Sequence, residues 1–141
     1  MSTLKIRPEI RDLVRERANF RCEYCQTDER LSGIACEIDH IIPIASGGLS
    51  EPDNLCLACS ACNGYKWAKI EGVDPETNEV VSLFHPRTQI WEEHFAWSDD
   101  GRYLIGLTPC GRATVDALQM NHQLIVAARS IWASFGLHPL H

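Results

Sequence analysis

Two C-x-x-C pairs, Cys22-Glu23-Tyr24-Cys25 and Cys59-Ser60-Ala61-Cys62, constrain this chain more than any other feature. Each offers two thiolates from one tight turn, and together they match the tetrahedral sulfur preference of a structural zinc. The chain has seven cysteines, an odd number. With four of them paired in this way, the set reads as metal binding in a reducing compartment, not as a disulfide framework. Cys56 opens a competing C-x-x-C with Cys59, but Cys59 with Cys62 mirrors the first knuckle. Cys36, Cys56 and Cys110 are expected to be small buried hydrophobes. The 33 residues between the pairs exceed the spacing of a zinc ribbon, so a strand, a loop and a second strand are expected between the knuckles.

Around that frame, Pro8 sits where a helix begins, and Ile10, Leu13, Val14 and Ala18 recur at helical spacing. Residues 8–19 are therefore expected to be an amphipathic helix with its arginines outward. A strand is expected around Cys36 to Ile42, ended by Pro43. A surface loop follows through the turn formers of residues 45–53, then a strand from Leu55 to Ala58. Asn63 to Ile70 suit a short helix closed by Gly72. Further on, Val80 to Phe84 and Tyr103 to Leu107 are strand candidates. Thr108-Pro109 predicts the start of helices over 109–120 and 122–135. The fold class is α+β, with a zinc-braced core over residues 1–77 and an α+β extension over 78–141 packed on it.

The insert between the knuckles carries Asp39-His40-Ile41, Pro43, Gly47-Gly48, Asn54-Leu55, Cys59, Cys62-Asn63 and Lys66. In this order and spacing the segment from Arg21 to Lys69 resembles the HNH endonucleases. Among them it is similar to those that add four zinc cysteines to the finger, phage junction-resolving endonucleases included. The tail, with LFHPR and LTPCGRAT, resembles that of short bacterial HNH proteins and adds no chemistry. The resemblance implies a treble-clef-like ββα-metal finger and metal-dependent cleavage of DNA leaving 5′-phosphate ends. It also implies that Asn54 holds the loop, and with it the histidine strand, in place.

The residue chemistry agrees with that implication. Phosphodiester hydrolysis needs a deprotonated water, and a neutral imidazole accepts its proton near pH 7, which makes His40 the expected general base. Neighbouring strand residues face opposite ways, so Asp39 would aim at a cation beneath the helix. Mg²⁺ or Mn²⁺ prefers oxygen, which Asp39 and the amide carbonyl of Asn63 supply. Glu37 shares the Asp39 face and is a reserve group. Lys66, Lys69, Arg21 and Arg87 are candidate phosphate contacts. His85 and His94, beside aromatics, are expected to pack.

The competing expectation is a noncatalytic zinc module that binds nucleic acid or protein. It is motivated by the net charge of −6, because phosphate binding relies on local lysines and arginines. Residues 71–100 hold eight acidic groups against Arg87 alone, so an anionic partner should avoid that stretch. No run of residues reaches the length of a membrane span or resembles a signal peptide, and the expected location is the cytoplasm.

Overall fold

The computed structural model describes residues 6–139. They form two compact units, one running to Ile70 and taking in His85–Gln89, the other made of Glu71–Phe84 and the chain from Ile90 onward. The fold is mixed α and β with small two-stranded sheets. No helix among the described residues is long and apolar enough to cross a membrane.

The first unit opens with α1 (Pro8–Arg17), which has proline at its first turn and Glu9 there to favour the helix dipole. Val14 is its buried residue, while Leu13, expected on the same apolar stripe, is exposed. The arginines of its last turn do not face outward as expected. Arg15 donates to Glu29 at 2.7 Å and to the carbonyl of Cys36 at 2.9 Å, and Arg17 donates to the carbonyls of Pro52 and Leu55. Those carbonyls lie outside the strand ladder, and a guanidinium fork satisfies several of them at once.

The first cysteine knuckle follows, stitched by Cys22 N to Thr27 O at 2.9 Å and by Gln26 N to Cys22 O at 2.9 Å. A short helix α2 (Glu29–Ser32) is capped by Asp28. Strands β1 (Glu37–His40) and β2 (Leu55–Ala58) pair antiparallel, with Asp39 opposite Cys56 and His40 opposite Leu55. All four residues of β2 are buried. Helix α3 (Ser60–Lys66) starts at the second knuckle, where the Cys59 sulfur accepts from Cys62 N at 3.4 Å. It therefore begins three residues earlier than the sequence pattern suggests and ends at Lys66, because Trp67 takes a positive φ. Gly72 is a strand residue and not the cap.

In the second unit, β3 (Glu71–Val73) and β4 (Val80–Ser82) form a hairpin. Then come α4 (Trp91–His94), the hairpin of β5 (Phe95–Trp97) with β6 (Leu104–Gly106), α5 (Pro109–Ala117) and α6 (Gln123–Ser134). Thr108 caps α5 as its sequence predicts, its hydroxyl accepting from Gly111 N at 3.0 Å. Leu83, Phe84, Phe95, Leu104, Ala113, Leu118 and Met120 are buried here. The hairpin turn is tied to α5 by Asp74, whose carboxylate takes a two-point contact from Arg112 at 2.9 and 2.8 Å. Glycine is required at position 111, where a Cβ would lie 2.1 Å from the His94 carbonyl oxygen.

Candidate functional site

The sulfurs of Cys22, Cys25, Cys59 and Cys62 lie within 4.8 Å of one another. Cys25 Sγ and Cys59 Sγ are 3.7 Å apart. A tetrahedral ion with zinc–sulfur bonds of about 2.3 Å has sulfur–sulfur edges of about 3.8 Å, so the spacing fits zinc. Burial pushes the Cys22 thiol up, whereas hydrogen bonds from Cys22, Cys59 and Cys62 hold Cys25 low. Four thiolates packed this closely repel one another and call for a central cation. Cys56 is not part of this set. Cys36 and Cys56 are buried as expected, and Cys110 is half-buried. Burial pushes the Cys36 thiol up to about 12.

The first knuckle is fastened to β2 at two points. Glu23 N donates to Leu57 O at 2.7 Å, and Leu57 N donates to the Glu23 carboxylate at 2.8 Å. The other oxygen of Glu23 is taken by Arg87. Arg87, a candidate phosphate contact in the sequence, is therefore half-buried and spent on holding residues 85–89 to the first unit. Arg21, another candidate, lies 3.8 Å from Asp28. Lys69 is exposed, with its ammonium on the carbonyl of Tyr65 at 3.0 Å.

At the centre of the unit, Asp39 is 5% exposed and Lys66 1%. The Lys66 ammonium sits 3.1 Å from Oδ2 of Asp39 and 3.3 Å from Oδ1, and donates to the carbonyl of His40 at 3.1 Å. Lys66 is therefore not the surface phosphate contact expected from its place in a polar helix. It turns inward because Asp39 would otherwise be a buried charge without a counter-ion. Tyr24 donates its hydroxyl to Asp39 Oδ2 at 2.8 Å, and Cys56 Sγ lies 3.7 Å from the same oxygen. Sequence reasoning missed Tyr24, and its place between the two cysteines gave no signal, since the matching Ser60 is exposed and Ala61 half-buried.

His40 ends β1, with Nε2 2.9 Å from the Ser50 hydroxyl. Burial lowers its pKa, Lys66 adds to that, and Asp39 opposes both. Asn63 donates its amide to Glu37 Oε1 at 2.6 Å. Asn54 spans the loop, accepting from Ile42 N at 2.8 Å and donating to the carbonyls of Ile42 and Leu49 at 2.9 Å each. Gly48 belongs to the same lock. A Cβ there would fall 1.8 Å from the Ile42 carbonyl oxygen and 2.7 Å from the Asn54 amide nitrogen.

His85 also lies in the first unit, with Nδ1 accepting from Arg87 N at 3.2 Å, and burial with the nearby Lys66 charge lowers its pKa. His94 lies in the second unit, 2.6 Å from the Thr108 hydroxyl and against Phe84. Neither histidine joins the cysteine cluster.

The oxygen donors of Asp39, Asn63 and Glu37 suit a hard divalent cation with water completing its shell. Both Asp39 oxygens are already engaged, Oδ1 by Lys66 and Oδ2 by Lys66 and Tyr24. Residues 22–69 match the family model described as HNH endonuclease. No curated protein and no solved structure matches the chain.

Proposed function

Taking residues 22–69 as a segment of the HNH endonuclease family, we propose that the chain hydrolyses phosphodiester bonds in DNA. His40 is the general base, Asp39 and Asn63 hold Mg²⁺ or Mn²⁺, and zinc on the four cysteines braces the finger. The observation that carries this reading is the surroundings of His40. Its Nε2 meets the Ser50 hydroxyl at 2.9 Å, and its pKa is lowered chiefly by burial. In the tautomer whose Nε2–H donates to Ser50, the lone pair is left on Nδ1, and a depressed pKa keeps the ring neutral near pH 7.

In this mechanism His40 takes the proton of the attacking water at Nδ1. Ser50 orients the ring, and Asn54 fixes the loop that carries Ser50. Glu37 holds the Asn63 amide nitrogen so that its oxygen stays free for a cation. The divalent ion supplies charge stabilisation at the phosphoryl oxygens when bound. Lys69 and the half-buried Arg21 remain the proposed phosphate contacts. The expected location is the cytoplasm.

The Lys66–Asp39 ion pair favours a second reading, a zinc module that binds without cleaving, because it neutralises the carboxylate that a cation needs. The two readings separate on supercoiled plasmid with zinc-loaded protein and added Mg²⁺ or Mn²⁺. The nuclease reading expects nicking by the wild type and a loss of about 100-fold or more in His40→Ala. Equal nicking by both would remove His40 as the base. Binding without nicking by the wild type would favour the module.

A further inference from the structure

Trp67 holds a backbone conformation that its side chain opposes. Its φ is 52° and its ψ −119°. Lys69 N donates to Lys66 O at 2.9 Å, so residues 66–69 make a β-turn with Trp67 at the first central position. Those angles belong to the II′ class, where glycine dominates because a Cβ crowds the backbone. A bulky residue there is an outlier. Burial does not offset the strain, since Trp67 is 81% exposed. Strain of this kind persists where a side chain is needed in a particular place.

The place is the end of the helix that bears Asn63. Trp67 N donates to Asn63 O at 3.0 Å, and the preceding residue reaches both Asp39 and the carbonyl of His40. We infer that Trp67, at the end of the helix that bears Asn63, is a stacking platform for an unpaired nucleobase of the bound strand, an inference that rests on the nucleic-acid reading above. An indole face stacks on any base without reading its edge. Lys69, two residues on and exposed, gives the turn the positive charge that a phosphate backbone requires. A closed duplex hides its base faces, so the substrate class is DNA with bases outside the duplex: single-stranded, frayed or branched.

The test uses the zinc-loaded full chain without added Mg²⁺ or Mn²⁺, so that nothing is cleaved. The probes are a short labelled oligothymidylate and an abasic strand of the same length. The wild type is expected to bind the oligothymidylate more tightly than the abasic strand. Trp67→Gly should lose about tenfold in affinity for the oligothymidylate and nothing for the abasic strand. Trp67→Phe, which keeps a ring, should retain most of the binding. Trp67→Gly should also melt at a higher temperature than the wild type, because glycine relieves the turn. That pairing of higher stability with weaker binding is not expected of a merely structural tryptophan. Equal affinity of Trp67→Gly and wild type for the oligothymidylate overturns the platform. If the wild type nicks plasmid but does not distinguish the two strands, the platform alone fails. If it neither nicks plasmid nor binds either strand, the nucleic-acid reading fails with it.

Discussion

Lys66 and Asp39 hold opposite charges where almost no water reaches them, and the consequence is asymmetric. Removing one member of a buried pair leaves the other charged and unpaired, which costs about 3–5 kcal/mol. Lys66→Met is therefore expected to lower stability by that amount in urea unfolding. Adding Asp39→Asn to it should restore a large part, since the stranded charge is then gone. Tyr24→Phe removes one donor from the same carboxylate and should cost about 1.5 kcal/mol, within the range for hydrogen bonds to charged groups. Asp74 is a different case. The Arg112 guanidinium, with help from Glu76 N and Thr77, holds its carboxyl far below the usual carboxylate range. Its contribution to stability is thus complete above the unfolded value near 3.8 and is lost as pH falls from there through the folded value. Acid titration of the melting temperature should be less steep for Asp74→Asn than for the wild type below that point.

Among the elements, the loop between β1 and β2 is held by two residues that act as one lock. Gly48→Ala would drive a Cβ into the Ile42 carbonyl and the Asn54 amide. The loop must then move, and Ser50 with it. A shift of about 1 Å at a catalytic group lowers rates by about a hundredfold, and nicking by Gly48→Ala is expected to fall by that order. Much of this loop was legible in the sequence, because the Gly-Gly pair and Asn54 sit at fixed offsets from Asp39-His40. The strand pair and the four cysteines were legible for the same reason. The start of α3 was not, since a cysteine sulfur took the capping role that Ser, Thr, Asp or Asn usually fills. Nor was β3, whose three residues have no alternation of their own and become a strand only by pairing with Val80–Ser82. The inward turn of Lys66 depends on a carboxylate 27 positions away. No local pattern encodes that.

At the scale of the whole molecule, the two units draw on different sources of stability. The first has a small apolar interior and a cage of four sulfurs, whereas the second buries Phe84, Phe95, Leu118 and Met120 around α5. Binding free energy for structural zinc is of the order of 10–16 kcal/mol in small finger peptides, and it doubles as folding free energy. Stripping zinc with a strong chelator should therefore release amide protection in β1, β2 and α3 while α5 stays protected, as read by hydrogen exchange. Cys25→Ser should reproduce that pattern without the chelator.

The salt bridge between Glu23 and Arg87 joins positions 64 apart and crosses the boundary of the matched segment. A graft that transplants only residues 22–69 into another protein would carry Glu23 without its guanidinium. The nascent chain meets the same condition during synthesis, when the knuckle has left the ribosome and its clasp is still to be made. The portable piece of this protein is thus longer than its recognisable motif, and it is not continuous.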